Sequence, residues 1–375
     1  MNQLLFNIQL LFCLFSFRRK NMRYPNLKRV LIVIFVLPVF LIFLINHRIF
    51  LVLDYVFFPR FLRLKILTPT FIVAAPRSGT TFLFHSLAKK TDAFTTMKLW
   101  EMILAPSITQ KYILILLRKV DKKIGSPLTS LILFIEKLAI GRFSEIHLVG
   151  LKYPEEDEVA MIWNLNTLYL SFFYPDSDFF KKFYFFDESM EANYRDRIMK
   201  SYRKLVQRHN YVFNRTSSRL YLSKNPLMMN KIESLKNTFP DAHIININRC
   251  PGRTIPSTIE LNAQIYRFFT SIKMTKNVEQ KLFELILVWY KMADSSLEAH
   301  FPKRTLKIDF NDLVKTPNVV MKKLSEFFNF NLYEEDLFDD SVRKSHISTN
   351  NYSPLSNSEL ESVLNELPFL KEYCH

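Results

Sequence analysis

"FIVAAPRSGTTFLFHSL", residues 71–87, is the stretch on which the fold turns. Phe71 to Ala75 is a short apolar run of the kind used by a buried strand. Gly79 permits a tight turn and a close approach of the backbone to a ligand. Beyond it, Phe82, Leu83 and Leu87 fall on one face at helical spacing, with Ser86 one turn after Phe82. A helix starting near Gly79 aims its first-turn N–H groups and the positive end of its dipole at the turn. Ser78, Thr80 and Thr81 add hydroxyl donors, and Arg77 adds a forked cation suited to phosphate or sulfate. Strand, hydroxyl-rich turn and helix start, in that order, describe an anion site. An ordinary strand–turn–helix connection is the simpler alternative, but it leaves this concentration of donors unexplained.

The nucleotide P-loop G-x-x-x-x-G-K-[ST] is absent, because Ala74 stands five residues before Gly79 and Thr80, not Lys, follows it. Pro-Arg-Ser-Gly-Thr-Thr instead resembles the 5′-phosphosulfate loop of the PAPS-dependent sulfotransferases, in particular membrane-linked bacterial members (PAPS is 3′-phosphoadenosine 5′-phosphosulfate). The resemblance implies a second, 3′-phosphate segment downstream. "AHIININRCPGRTIPSTIEL", residues 242–261, has the matching form: a strand-like run, Arg249, then Ser257 on the next helix, with Arg253 between them. "LSKNP", residues 222–226, is similar to the family's Lys-Asn-Pro element, and "TLKIDFNDLVKTP", residues 305–317, to its late strand and loop, with Phe310 where a Tyr is common. The likeness covers roughly residues 69–350 and is scattered over 105–215. It implies cofactor binding by Arg77, Ser78, Gly79, Thr80, Thr81, Arg249 and Ser257, and a catalytic set of Glu101, Lys224 and Arg77. Lys224 is expected near the bridging oxygen, where a cation stabilises the leaving phosphate. The resemblance implies PAPS as the co-substrate, and neither the chemistry nor the sequence calls for a metal.

The general base is open between two stretches. Glu101, in "MKLWEMILAP" (residues 97–106), sits at the family's usual interval after the loop; its simpler reading is a helix carboxylate in solvent. "YPEEDE", residues 153–158, offers Glu155 to Glu158; such a run is commonly a solvated face or a helix start, and here it also resembles a signature of closer relatives. His85, His147 and His346 are lesser candidates, with Lys344 and Ser345 beside a late loop expected near phosphate.

The chain has 375 residues and a net charge of +16, which suits a polyanionic co-substrate or an anionic membrane surface. No RNP, zinc-finger or helix-turn-helix pattern is present, which argues against nucleic acid. Cys13, Cys250 and Cys374 have neither metal spacing nor the density of a disulfide framework, and so few cysteines favour a reducing compartment. The sequons at Asn214 and Asn351 carry little weight.

Val30 to Asn46 has no charge and, with Pro38 at its middle, fits a short single span, a kinked re-entrant hairpin or a buried helix; membrane insertion is the expected reading. Met1 to Phe17 is also apolar but precedes its basic flank, the reverse of a secretory signal, and Met22 is an alternative start. Basic residues flank the segment on both sides, so orientation stays open: a cytoplasmic catalytic domain in a bacterium, or one in the Golgi lumen in a eukaryote.

The expected fold is α/β, a three-layer, P-loop-like parallel sheet flanked by helices behind an N-terminal membrane segment. Residues 1–66 form the anchor with its basic flanks and 67–375 the sulfotransferase domain, within which 105–215 is a helical insertion building the acceptor pocket. The expected reaction moves a sulfuryl group from PAPS to a hydroxyl or amine of a lipid, glycan or other acceptor near a bilayer. An ATP-dependent kinase with a degenerate P-loop, and a non-catalytic membrane scaffold, are the competing readings.

Overall fold

The computed structural model describes residues 3–16, 27–144, 150–173, 178–332 and 352–374. His147, Lys344, Ser345, His346 and Asn351, all named above, lie outside the described residues.

Helix α1 spans Gln3–Phe15, and α2 spans Leu27–Phe57. The strand β1 (Thr70–Ile72) leads into α3 (Thr80–Lys89), followed by β2 (Phe94–Thr95) and α4 (Leu99–Ile103). A helical hairpin, α5 (Ile108–Lys123) and α6 (Pro127–Ser144), comes next, then α7 (Ala192–Phe213), β3 (Leu220–Lys224) and α8 (Ile232–Thr238). The chain closes with β4 (His243–Asn248), α9 (Pro251–Thr270), α10 (Lys276–His300), β5 (Thr305–Asp309), α11 (Phe310–Lys315), α12 (Pro317–Phe328) and α13 (Asn357–Glu366).

The sheet is wholly parallel, in the order β2-β3-β1-β4-β5. In its centre β1 pairs Phe71 with Ser223 on one side and with Ile244 on the other. Its three residues are buried, which is why this strand reads as a continuous apolar run and not as an alternating one. From β1 the chain moves to one side for β2 and β3, then crosses to the other for β4 and β5. Loops at the carboxyl ends of β1, β3 and β4 therefore open into one crevice, where the strand order reverses and open α/β sheets bind ligands. The strands expected at 71–75, 242–248 and 305–309 all form, the first ending at Ile72 because the chain turns into the Pro76 loop. β2 has only two residues and could not have been read from periodicity.

The N-terminal segment is one long helix. A π-helical turn, Ile32–Val36, precedes Pro38, so the proline sits where a displaced ladder does not need its missing N–H. Leu37, Phe40 and Leu44 face the same core as the Leu10 and Leu14 side chains of α1 and as Trp163 and Trp289. Further along, Asp54 accepts from the backbone N–H groups of Ile108 and Thr109 at 3.0 Å and pairs with Arg208 at 2.8 Å. The helix is thus joined to the domain along one face, while its other face, from Ile34 to Val56, is exposed.

The cysteines depart from the sequence expectation. Cys250 and Cys374 form a disulfide across a separation of 124 residues. The chain returns over the start of α9, where Leu360 contacts the Gly252 position and Leu355 N–H bonds Gly252 O, and this brings the C-terminal cysteine to Cys250. Spacing alone could not show that return. Asn214 is buried and its amide exchanges hydrogen bonds with the Arg219 backbone, so that sequon is closed to modification in the folded chain.

Candidate functional site

The loop after β1 is built on two left-handed residues, Arg77 (φ 67°) and Gly79 (φ 84°). At Gly79 a Cβ would come within 2.9 Å of the Phe310 ring, so the position requires glycine for space as well as for conformation. Thr80 then begins α3, whose first-turn amides have no intrahelical acceptor and face the crevice. The Arg77 side chain reaches the start of α9, donating from Nε to Ser257 Oγ at 3.0 Å. Arg249 donates from Nη1 to Arg77 O at 2.6 Å, and its guanidinium stacks 4.0 Å from the Phe310 ring centroid. Phe310, where a tyrosine would offer a hydroxyl, thus serves by packing: it backs Gly79 on one side and holds Arg249 flat on the other.

Arg77, Gly79, Thr80, Thr81, Lys224, Arg249 and Phe310 line one cleft of about 100 Å³, room for a phosphate-sized group. Ser78 and Ser257 are buried behind it. The two motifs, more than 170 residues apart in sequence, therefore form one cationic surface. Arg253, between Arg249 and Ser257, is exposed.

Glu156 closes the inner end of this cleft. Its carboxylate is 2.5 Å from Lys224 Nζ and accepts the Tyr169 hydroxyl. Lys224 is itself buried and also lies 3.3 Å from the Thr81 hydroxyl. On the far side of Glu156 lies a second cavity of about 660 Å³, walled by Leu168, Phe172, Phe268, Phe269, Ile286 and Trp289. Pro76, Glu156, Pro226 and Leu261 belong to both walls. Next to Glu156, Glu155 faces the apolar cavity; its Oε1 is buried without a hydrogen-bond partner, and burial pushes its carboxyl up to about 7 despite the nearby charge of Lys224.

The rest of the acidic run is structural. Asp157 accepts the hydroxyls of Tyr202 and Tyr221, and burial holds its carboxyl above the usual range. Glu158 bonds Lys231 at 2.8 Å and Asn225 Nδ2 at 3.0 Å. Four adjacent acids thus meet four different surroundings, because Glu155 and Glu156 lie on irregular backbone and Asp157 and Glu158 open the 3₁₀ turn that follows. The solvated face that sequence alone suggests does not form.

Glu101 is placed differently from its sequence reading. It closes a capping box with Lys98 at the start of α4, is buried, and lies 2.8 Å from His209 Nδ1; His209 Nε2 in turn meets Thr95 Oγ1 at 2.8 Å. Burial would raise its carboxyl, but His209, Lys111 and the Lys98 amide together hold it below the usual range. It lines neither cavity. His85 stacks edge-on against Phe84 and lines neither cavity as well. The insertion also divides. Residues 155–172 supply one wall of the apolar cavity, and residues 258–289 on α9 and α10 supply the other, while the α5–α6 hairpin lines neither cavity. No cluster of metal-ligating side chains occurs among the described residues.

Residues 153–335 match the sequence model of the Sulfotransferase family. Omega-hydroxy-beta-dihydromenaquinone-9 sulfotransferases of Mycobacterium bovis and Mycobacterium tuberculosis are 25% identical to the chain over 190 residues, 50% of this chain and 47% of theirs. The chain thus aligns with about half the length of these relatives. A sulfotransferase from Mycobacterium avium superposes with a TM-score of 0.61 at 17% identity, covering 87% of this chain and 82% of that one. A second, from Mycobacterium tuberculosis, gives 0.61 at 15% identity over 99% and 93%. The fold is that of these enzymes.

Proposed function

We propose, with the match of residues 153–335 to the Sulfotransferase family model as the premise, that the protein transfers a sulfuryl group from PAPS to a hydroxyl of an apolar, lipid-like acceptor at a membrane. The observation that carries this is the position of Glu156, in the wall shared by a cationic cleft and an apolar cavity and paired there with Lys224 of the cleft.

The cleft suits the co-substrate on its own chemistry. Arg77, Arg249 and Lys224 supply three cations, the α3 amides a helix N-terminus, and Gly79 the space for close approach. PAPS supplies an activated sulfuryl group on a phosphate leaving group. The chain's residues position the groups and balance charge. Arg77 and Arg249 bind the anionic ends. Lys224, within reach of Thr81 at the head of α3, stabilises charge that develops on the leaving phosphate. Glu156 takes the proton of the acceptor hydroxyl, oriented by Tyr169. Glu101, tied to His209 away from both cavities, is a structural residue in this scheme.

The acceptor class follows from the larger cavity, whose lining is mostly aliphatic and aromatic, with Glu155, Glu156, Ser171, Thr258, Asn262 and Gln264 as its polar points. Its Phe172 and Phe269 stack 5.9 Å apart, and Phe173, which contacts Phe269 at 5.3 Å, also contacts Phe40 of α2 at 6.4 Å. The cavity therefore lies beside the apolar N-terminal helix, which we take as the membrane element. The mycobacterial relatives are named for a hydroxylated menaquinone, an acceptor of the same character.

The test uses the full chain with sulfur-labelled PAPS and a series of alcohols from short to long chain. Metal-independent binding of PAP and label transfer that improves with chain length support the proposal. Binding of Mg-ATP in place of PAP, or transfer only to water-soluble sugars, overturns it.

A further inference from the structure

The hairpin α5–α6 has no role in either cavity, yet it carries apolar side chains where a soluble protein would place polar ones. On α5, Tyr112, Ile113, Leu116, Leu117 and Val120 are exposed; on α6, Leu131, Leu133, Phe134 and Ile135 are. Leu116 and Phe134 are each more than 60% exposed. Large contiguous apolar patches of this kind mark an interaction surface.

Charge says what covers it. Arg118, Lys119, Lys122, Lys123 and Lys137 are exposed on the same hairpin. Its two acids are turned inward: Asp121 caps α6 by accepting from the Leu128 and Thr129 amides, and Glu136 accepts the Leu151 amide at 2.8 Å. Lysines with long stems beside leucine and phenylalanine suit the headgroup level of an anionic bilayer, where the stem packs in the apolar layer and the ammonium reaches the phosphates.

The hairpin is also continuous with the apolar helix already described. Gln110 of α5 bonds Asn46 and His47 of α2 at 2.9 and 2.8 Å, the Tyr112 ring lies tilted against Phe58 at 5.6 Å, and the α5 N-terminus is held by Asp54. The outer face of α2, with Ile42, Ile45, Ile49 and Val52, thus adjoins the exposed face of α5. The same bonds bind the C-terminal half of α2 to the domain.

We propose that the α5–α6 hairpin is a second membrane-embedded element, which with the outer face of α2 seats the domain directly on an anionic bilayer. This goes beyond the reading of α2 as an anchor and stands without the assignment of the reaction.

The experiment follows binding of the full chain to vesicles of neutral phosphatidylcholine and of phosphatidylcholine with phosphatidylglycerol. A Leu116→Ser, Leu117→Ser, Phe134→Ser variant should lose at least tenfold in partitioning while PAP binding is unchanged. Reversal of Lys119, Lys122 and Lys123 to Glu should weaken binding to the anionic vesicles by roughly fivefold per charge and leave neutral vesicles nearly unaffected. A fluorophore at Leu117→Cys or Phe134→Cys, with Cys13 replaced by Ser, should be quenched by chain-labelled lipids and protected from iodide. Unchanged partitioning of the serine variant overturns the proposal, showing α2 alone to be the anchor. So does a label shielded from iodide without lipid in a dimer, which would make the face a contact between copies. Unchanged membrane binding with lost sulfation, or the reverse, separates failure of this inference from failure of the enzymatic one.

Discussion

Glu101 and Glu156 are two carboxylates in one chain, both shielded from bulk water and both paired to a basic side chain, and they have opposite fates. Glu101 faces inward on α4, where His209, the Lys98 amide and Lys111 hold it charged in a closed polar pocket. Glu156 sits on an irregular turn between a cleft and a cavity, with side-chain exposure of 18% against 3% for Glu101. The difference is access. A carboxylate with all its partners inside the protein stabilises a fold, whereas one whose partner cation also faces a ligand cleft can exchange a proton with a bound group. Pairing alone, or burial alone, does not separate the two.

Glu156→Gln breaks this comparison most directly. It should leave PAP affinity near wild type, measured by calorimetry, and lower turnover by roughly 10²–10⁴, the usual range for loss of a general base. An equal fall for Glu101→Gln, with Glu156→Gln active, would invert the assignment.

The structural half of the contrast is tested by stability. Glu101→Ala leaves His209 and Lys111 facing an emptied pocket and should cost about 3–5 kcal/mol in chemical denaturation, as loss of one member of a buried pair does. PAP binding by the fraction that stays folded should be unchanged.

Glu155 sharpens the picture through pH. Its folded carboxyl titrates at about 7 against an ordinary value of 4.5. As pH rises from about 4.5 to 7 the unfolded chain loses this proton before the folded one does, so stability falls across that window, by up to about 3 kcal/mol. Denaturation midpoints at pH 5 and pH 8 should therefore differ less in Glu155→Gln than in the wild type.

Smaller again is the effect expected at the 3′-phosphate. Arg249→Ala should weaken PAP by about tenfold or more, since a charged hydrogen bond contributes roughly 1.5–3 kcal/mol, and weaken adenosine 5′-phosphosulfate less. Equal losses for both ligands would assign Arg249 to loop support through Arg77 O and Phe310.

Much of this site was legible in the residues. The loop at 76–81, Lys224, Arg249 and Ser257 are local motifs at strand ends, and a parallel sheet brings strand ends together whatever lies between them. That Glu101 lies away from both cavities was not legible, because the interval from the loop to Glu101 says nothing of where α4 points its third residue. Nor could the run at 153–158 be resolved, since four consecutive acids look alike until the backbone changes from irregular at Glu155 and Glu156 to a 3₁₀ turn at Asp157 and Glu158.

The sequence by itself determined the α/β class, three strands of the sheet, the strand–turn–helix form of the loop at 76–81 and the apolar N-terminal helix. These depend on interactions between residues within a few positions of one another: period, turn chemistry and helix-end polarity. Tertiary structure alone decided which carboxylate meets the cleft, that Cys374 reaches Cys250, that Asp54 holds α2 to α5 and α7, and that an apolar cavity shares Glu156 with the cleft. Each of those depends on segments 50 or more residues apart meeting in space, and the free energy of such a meeting comes from packing that no local pattern records.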